Sequence, residues 1–453
     1  MEYPGQELSQ ESALVQPDDK QDVSNLVRVL KELSSDLKLE RYTTSVERFI
    51  RLLEISEPAD RSNVHILHED KVADYFGRCA EFSKPIFTPG NGGEKSSITI
   101  QRLFEFFKNA GLSHTEVDVQ DPSNPETEYN YSRKTMAQVR EAFGLDLLQR
   151  TSQGILWNIL DLANHTFENV TPAGLTTDAT QFLKHIKVFR GGTAHRDEQD
   201  LNQRSWKCLE SWLLLSMQHS ISLPHQDGSG LCTWVKSGQG RKLWLICYSM
   251  TDDEKEEYGR QGPSFCGGRW LRLWLHPGDT LFMPSSTVHA VYTDLDGICV
   301  GGHFLLPRFL LDCLAAIWFE IHNDIVTNDH DPGWIRKSLH DIRRMIEIDN
   351  GCFGEESPRI VQRCQVGISL VYLVYYINFL QLILYRMDTP ACNCKSSCTG
   401  RCGCSKSKLK CMRSCHGGTR CPGGAGAKRD GGNCLANERA KKLRTASAIL
   451  ATR

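Results

Sequence analysis

Short apolar segments separated by turn residues fill the chain from Trp212 to Phe304, and this pattern is the strongest constraint on its fold. The segments are residues 212–217, 231–235, 243–247, 270–275, 280–283, 288–292 and 298–301. The sequence Pro277-Gly278-Asp279 provides a turn between two of them. Many short strands at near-regular spacing predict a β-sandwich or barrel in this part of the chain.

Helical and mixed patterns surround this β-rich region. Apolar residues recur at helical spacing over residues 23–55 and again over residues 309–348. The chain between them also contains predicted helices near 103–107 and 136–143 and predicted strands at 117–119 and 155–162. We therefore predict an α+β fold. The first helical unit is expected to pack on the domain that follows, although its amphipathic pattern also suits a partner helix.

A His-x-Asp sequence, His225 and Asp227, lies within the β-rich region, and His289 follows 62 residues after Asp227. Residues i and i+2 of a strand point to the same side, so His225 and Asp227 could share a metal ion if they end a strand. His289 would then return from a neighbouring strand. Two imidazoles and one carboxylate form the facial triad of non-haem Fe(II) oxygenases. A lone buried histidine is more often a hydrogen-bonded core residue, so the surrounding residues decide the interpretation.

Two further residues near His225 favour an oxygenase. Lys242 begins an apolar segment, and a lysine that points into a barrel needs an anion because an unpaired buried charge is costly. A dicarboxylate cosubstrate would be such an anion. Ser222 precedes His225 by three residues and could donate a hydrogen bond to the same carboxylate.

Residues 87–348 resemble the JmjC (jumonji) Fe(II)/2-oxoglutarate oxygenases, most closely the lysine demethylase branch that elsewhere carries PHD fingers or an F-box. The most specific segments are 213–217 leading into His225-Gln226-Asp227, 242–246, 277–284, and 289 through Gly301-Gly302-His303-Phe304-Leu305. Residues 117–121 and 157–162 also resemble that branch. The resemblance implies a double-stranded β-helix, a jelly-roll or cupin-like barrel, flanked by helical segments.

The resemblance also implies roles for six residues. His225, Asp227 and His289 would bind Fe(II), and Lys242 would pair with the distal carboxylate of 2-oxoglutarate. Ser222 stands where the family usually has a threonine with the same hydroxyl role, and Asn158 matches an asparagine of the cosubstrate pocket. The chain departs from the family at Val235, where that branch usually has a tyrosine, so an altered cosubstrate pocket is expected. We also identify no PHD finger or F-box.

The implied activity is oxidative demethylation of a methylated histone or another protein. Decarboxylation of 2-oxoglutarate would accompany oxidation of a C–H bond, and an oxidised N-methyl group would leave as formaldehyde. Two alternatives stay open at this point. The enzyme could be a protein hydroxylase whose product keeps the hydroxyl group, or the barrel could be inert in a protein that binds chromatin or DNA.

Cysteines are concentrated near the C-terminus, where C-x-C pairs indicate a cluster of metal-bridging thiolates rather than disulfides. The predicted zinc ligands are Cys392, Cys394, Cys398, Cys402, Cys404, Cys411, Cys415 and Cys421. Their spacing resembles the CXC modules of tesmin/TSO1-like DNA-binding proteins. Residues 386–453 hold 15 Lys and Arg against 3 Asp and Glu, so we expect this basic module to contact DNA. The alternative is a zinc-stabilised module that binds proteins.

The predicted domain order follows from these patterns. It is a disordered N-terminus (1–22), a helical segment (23–79), the JmjC oxygenase domain (80–308), a helical region (309–385), the zinc module (386–434) and a basic tail (435–453).

Scattered cysteines without a secretory signal indicate a reducing compartment, and the chromatin interpretation places the protein in the nucleus. Residues 364–385 carry no charge. We expect a buried or partner-covered helix there, with a membrane span as the less favoured alternative.

Overall fold

A computed structural model describes residues 19–79, 81–90, 96–123, 131–176, 211–306, 309–323 and 325–327. All of them belong to one compact unit. The helices are α1 (Asp19–Leu37), α2 (Glu40–Ile55), α3 (Glu69–Arg78), α4 (Ile100–Asn109), α5 (Met136–Gly144), α6 (Leu147–Ser152), α7 (Asp252–Gln261) and α8 (Leu310–His322).

Twelve strands form the sheet. They are β1 (Glu57–Pro58), β2 (His65–Ile66), β3 (Ile86–Thr88), β4 (Glu116–Gln120), β5 (Tyr131–Thr135), β6 (Asn158–Ala163), β7 (Trp212–Ser216), β8 (Ile221–His225), β9 (Cys232–Ser249), β10 (Arg269–Leu275), β11 (Thr280–Met283) and β12 (His289–Phe304). The β1–β10 and β2–β3 pairs are parallel, and the remaining pairs are antiparallel.

Strands β9 and β12 pair with each other over nearly their whole length and contribute to two layers. The first half of β9 pairs with β11 and the second half with β10. The first half of β12 pairs with β8 and the second half with β7. One layer therefore runs β1-β10-β9-β12-β8, and the other runs β2-β3-β11-β9-β12-β7-β6-β4-β5.

One buried apolar cluster lies between the two layers. It includes Trp212 and Val235 from the larger layer and Trp244 and Val291 from the smaller. Strands that switch between layers are typical of sandwiches whose corners bend. The architecture is thus a large mixed sheet with flanking helices, compatible with a cupin-like β-sandwich.

The corner where β9 and β12 change layers depends on a glycine. Gly240 has a φ of +86°, and a Cβ atom there would lie 2.5 Å from the carbonyl oxygen of Asp296. On β12 the register shifts on both sides of Leu295. Arg150 of α6 holds the Asp296 carboxylate through two hydrogen bonds of 2.8 Å, so an ion pair fastens the corner to the helical part of the fold.

Helices cover the outer face of each layer. Tyr42 and Phe49 of α2 pack with Leu243, Leu245 and Tyr292 on the smaller layer, which agrees with the predicted packing of the first helical unit on the sheet. Residues of α3, α4 and α5 pack with alternate residues of β6, β7 and β12 on the larger layer. The faces that point between the layers carry the apolar cluster and, beside it, the polar residues of the candidate site.

Most predicted elements are confirmed, but two predictions of separate strands are wrong. Segments 231–235 and 243–247 belong to the single strand β9, and segments 288–292 and 298–301 both belong to β12. The glycines and charged residues between the segments bend each strand instead of ending it. Strands β1, β2, β3, β5 and β8 and helices α6 and α7 were not predicted as separate elements. Of the helical pattern over 309–348, the described part contains α8.

Several predictions fall outside the described residues. These are most of the N-terminal segment 1–22, the uncharged segment 364–385, all eight predicted zinc ligands and the basic tail. Among the described residues, none of the helices combines the length and apolar character needed to cross a bilayer. The described cysteines, which are Cys79, Cys232, Cys247, Cys266, Cys299 and Cys313, are free thiols.

Candidate metal centre

The three predicted metal ligands lie together at one end of the smaller layer. Strands β8 and β12 are antiparallel neighbours, and their register places His225 directly opposite His289. Asp227 follows the end of β8 by two residues. The ligand atoms of these three side chains lie within 4.8 Å of one another. His289 Nε2 is 3.9 Å from Asp227 Oδ1, and the two imidazole centroids are 4.3 Å apart.

Backbone carbonyl groups orient both imidazoles. His225 Nδ1 lies 2.8 Å from the Leu223 carbonyl oxygen, and His289 Nδ1 lies 3.0 Å from that of Thr287. A carbonyl oxygen only accepts, so each Nδ1 carries a proton, and in the neutral ring Nε2 presents a lone pair. This arrangement of a ring nitrogen tied to the backbone is the usual one for metal-bound histidine.

The electrostatic setting keeps His225 and Asp227 in the protonation states that a cation requires. Burial lowers the pKa of His225 to about 4, with a smaller contribution from His289. Burial alone would raise the pKa of Asp227, but the rings of His289, His303 and His225 and a hydrogen bond from Thr233 outweigh it and lower the pKa. At neutral pH the structure therefore offers a neutral imidazole beside a carboxylate, as metal binding needs.

The site is closed on the His289 side and open on the Asp227 side. The His289 side chain is 4% exposed, whereas that of Asp227 is 25% exposed. The Trp244 ring stacks on His289 with a centroid distance of 5.2 Å. The solvent-facing side of the site is therefore the side of Asp227.

Lys242 lies between the layers on the same face of β9 as Trp244, and 3% of it is exposed. Burial lowers the pKa of this ammonium group, against a weaker opposing effect of the Cys299 thiol. Its Nζ donates a hydrogen bond of 2.5 Å to Ser216 Oγ. Among the described residues no carboxylate pairs with it, so the buried cation lacks the counter-ion that such a group normally has.

A buried hydrogen-bond network continues from Lys242 to Ser222. Ser216 Oγ donates to Asn158 Oδ1 at 2.5 Å, and Asn158 Nδ2 donates to Ser222 Oγ at 2.8 Å. The same amide group also lies 3.3 Å from Gln120 Oε1. The structure therefore brings the three residues predicted to bind the cosubstrate, Lys242, Asn158 and Ser222, into one connected set.

A β-bulge places Ser222 on the same side of the sheet as His225. In a regular strand, residues three apart point to opposite sides. Here His225 lies opposite His289 and Ser222 lies opposite Val291, so three steps on β8 match two steps on β12. The extra residue turns the Ser222 hydroxyl inward, as bulges beside functional sites commonly do.

Sequence reasoning missed several polar residues that face the same space. Ser216 and Gln120 extend the network of Lys242, and Thr233 contributes to the lowered pKa of Asp227. The alternating pattern of β7 could have indicated Ser216, because Trp212, Leu214 and Ser216 share one side of that strand. Val235 supplies no polar atom and is buried in the cluster between the layers.

The donor set suits a divalent transition metal. Two Nε2 lone pairs and one carboxylate on one side of a shared point are the ligands and geometry of the iron facial triad. The buried, carboxylate-free Lys242 adds a site for an anionic group between the same two layers. The residues present therefore fit both an iron ion and an anionic cosubstrate.

Comparison with known proteins supports the JmjC demethylase family. No family model matches the chain. Lysine-specific demethylase 2A of Xenopus tropicalis is 30% identical over 163 residues, 33% of this chain and 14% of that protein. JmjC domain-containing histone demethylation protein 1 of Mycosarcoma maydis is 26% identical over 149 residues, 30% of this chain and 22% of that protein. Lysine-specific demethylase 2B of Mus musculus is 30% identical over 113 residues.

These similarities cover only part of each molecule. The matched regions span less than a quarter of the length of each of these relatives. They support a relation to JmjC histone demethylases and give no support to the predicted CXC module.

Proposed function

We propose that this protein is an Fe(II)- and 2-oxoglutarate-dependent dioxygenase of JmjC type that removes methyl groups from histone lysine residues. The observation that carries the proposal is the pairing of two sites between the same layers. One is the convergent set of His225, Asp227 and His289, and the other is the buried Lys242 without a carboxylate partner. A protein that used the barrel only for binding would have no need for either.

In this proposal, His225, Asp227 and His289 would hold the iron. When bound, iron and 2-oxoglutarate supply the oxidising chemistry, which consumes O₂ and yields succinate and CO₂. The chain keeps both imidazoles oriented through the carbonyl groups of Leu223 and Thr287. It also leaves the Asp227 side open for the protein substrate.

Lys242 would neutralise the distal carboxylate of the cosubstrate. Its ammonium group is held by Ser216 at the inner end of the polar network, so it points to a defined position before any ligand binds. Asn158 and Ser222, at 2.8 Å from each other, would add hydrogen bonds to the same molecule. Such preorganisation lowers the entropic cost of binding.

The demethylase assignment is supported by the names of the relatives, each of which is described as a demethylase or a histone demethylation protein. A methylated histone is accordingly the proposed partner and the nucleus the proposed location.

For the cysteine-rich segment we propose zinc binding by Cys392–Cys421 and contact with DNA through its basic side chains. Support for that second site is the sequence pattern alone.

The enzyme proposal is tested by 2-oxoglutarate-dependent succinate formation in the full chain. We expect His225→Ala to abolish it, because the variant lacks one metal ligand. The matched control is His114→Ala, which removes an exposed histidine outside the site. Equal succinate formation by the wild-type protein and His225→Ala would overturn the proposal.

A second measurement identifies the reaction. Methylated histone peptides should give formaldehyde in the same amount as succinate. A stable hydroxylated product without formaldehyde would instead identify a protein hydroxylase.

For the cysteine-rich segment, deletion of residues 390–453 should reduce retention on DNA. Unchanged retention would leave the interpretation that this segment binds proteins.

A further inference from the structure

We propose that Ser237 is a further binding residue for the anionic cosubstrate, and that its hydroxyl group donates to the same carboxylate group that pairs with Lys242. This inference rests on the proposed function, because it concerns a second donor in the proposed cosubstrate site. Two observations carry it. The first is a buried hydroxyl group without a hydrogen-bond partner, and the second is its place beside a buried cation without a counter-ion.

Ser237 lies on β9, and only 1% of it is exposed. Both of its backbone groups are bonded, since its N–H donates to the Asp279 carbonyl oxygen at 2.9 Å and its carbonyl oxygen accepts from the Gly278 N–H at 2.8 Å. Its Oγ is also buried, and within the described part of the chain it has no hydrogen-bond partner. Folded proteins rarely bury a hydroxyl group in this state, because the group loses its hydrogen bonds to water. A ligand that accepts from this hydroxyl group would restore the hydrogen bond that folding removes.

The strand register fixes the direction of the Ser237 side chain. Ser237 is directly opposite Cys299 of β12, and paired residues of antiparallel strands project to the same side of a sheet. Cys299 belongs to the buried cluster between the two layers, and so does Val235, which lies two residues before Ser237 on β9. The side chain opposite is a thiol, which is only a weak hydrogen-bonding group. The Ser237 hydroxyl group therefore points into the space between the layers.

The same register places Ser237 near the Lys242 ammonium group. Lys242 Nζ is bonded to Ser216 of β7, and Ser216 lies opposite Gly297, two residues before Cys299 on β12. Ser216, Cys299 and Ser237 thus occupy the inner face of three adjacent strands, β7, β12 and β9. In agreement, burial raises the pKa of the Cys299 thiol, and Lys242 and then Ser237 oppose that rise. The cation and the unused hydroxyl group border the same part of the space between the layers.

A carboxylate group suits this pair of donors. It has two oxygen atoms that only accept, whereas an ammonium group only donates and a hydroxyl group has one proton to donate. Lys242 would supply the opposite charge, and Ser237 would supply a directed hydrogen bond to the second oxygen atom. Hydrogen bonds to an ionised carboxylate are stronger than those between neutral groups. The hydroxyl group would therefore add both affinity and a fixed orientation to the distal carboxylate of 2-oxoglutarate.

The test is cosubstrate binding by variants of the full-length protein. The protein is loaded with Mn(II) in place of iron, and 2-oxoglutarate is titrated calorimetrically without O₂, so that binding is measured without turnover. We expect Ser237→Ala to weaken binding about 5-fold or more, because it removes one hydrogen bond to a carboxylate. Ser237→Thr keeps the hydroxyl group and should bind within about 3-fold of the wild type. The matched control is Ser249→Ala, which changes an exposed serine at the end of the same strand and should leave binding unchanged.

The melting temperature of the ligand-free protein gives an independent readout. Because the buried hydroxyl group has no partner, Ser237→Ala should leave this temperature unchanged or raise it by about 1–4 °C. At a fixed concentration of 2-oxoglutarate, the ligand should raise the melting temperature of this variant less than that of the wild type. A lower melting temperature of ligand-free Ser237→Ala would show that the hydroxyl group already has a partner, and that result would overturn the inference.

Failure of this inference is distinguishable from failure of the proposed function. If the wild-type protein does not bind 2-oxoglutarate, the cosubstrate site itself is refuted. If the wild type binds and Lys242→Met does not, while Ser237→Ala binds as tightly as the wild type, only the role of Ser237 is refuted. Cys299→Ala separates hydrogen bonding from packing, because it removes volume opposite Ser237 and leaves the hydroxyl group. If it weakens binding as much as Ser237→Ala, packing determines the affinity and the inference is overturned.

Discussion

Lys242 Nζ lies 2.5 Å from Ser216 Oγ, and this hydrogen bond is the only one that the described residues provide to a cation buried between two β-layers. A hydroxyl oxygen cannot neutralise an ammonium group. The protein thus keeps a position for a negative charge ready at a cost to its own stability, as functional sites often do.

Replacing this cation should stabilise the metal-free protein while destroying its proposed activity. We expect Lys242→Met to raise the free energy of unfolding by about 1–3 kcal/mol, because methionine fills the volume without a buried charge. The same change should abolish saturable binding of 2-oxoglutarate. Thermal unfolding and calorimetric titration measure the two effects. A lower melting temperature would mean that Lys242 has a stabilising partner.

The stability difference should also depend on pH. Burial lowers the pKa of Lys242 below its usual 10.5, so the unfolded chain holds more protons than the folded chain between the folded and unfolded pKa values. The unfolding free energy of the wild type therefore rises with pH across this interval. We expect the advantage of Lys242→Met to be largest below the folded pKa and to shrink towards pH 10.5. Denaturant titrations at several pH values test this, and a constant difference would contradict it.

Substitutions of Ser222 test whether the bulge in β8 directs its hydroxyl group into the cosubstrate site. Removing its hydroxyl in Ser222→Ala should raise the KM for 2-oxoglutarate about 2- to 10-fold, the value of one hydrogen bond, with little change in kcat. Ser222→Thr, which keeps the hydroxyl, is the matched control and should stay near the wild-type KM. If threonine proves worse than alanine, the space available rather than the hydroxyl determines binding.

The corner at Gly240 should tolerate no side chain. Gly240→Ala combines a positive φ with a collision against the Asp296 carbonyl, and we expect it to cost about 2 kcal/mol or more. Gly144, at the end of α5, has open space around its Cβ position, so Gly144→Ala should be neutral or slightly stabilising. Chemical denaturation compares the two. Equal midpoints would show that the corner relaxes easily.

The candidate metal ligands could be identified from the sequence because two of them are close together along the chain. His225 and Asp227 are two residues apart at the end of a strand, and His289 is preceded by turn residues in a second apolar segment. Lys242 could be inferred from its place at the start of an apolar segment. In each case, the alternating direction of side chains along a strand carries the information.

Other parts required the structure. Ser222 has the wrong separation from His225 for a regular strand, and only the pairing with β12 reveals the bulge. Segments 231–235 and 243–247 form the single strand β9 because the chain bends at Gly240 without ending the strand. From the sequence alone, a glycine at this position predicts a turn. Thr233 and His303 are 70 residues apart, so their contact follows from the register of β9 against β12, which no local pattern encodes.

The sharing of β9 and β12 between both layers has a mechanical consequence. Lys242 and Thr233 lie on one of these strands, and His289 and His303 lie on the other, so the two strands carry groups from every part of the site. Local opening that releases one of these side chains must break hydrogen bonds between β9 and β12, which are shared by both layers. Backbone amides of β9 and β12 should therefore exchange with deuterium only through global unfolding, whereas the ends of α1 exchange through fraying. The groups of the site are thus lost in a single cooperative event.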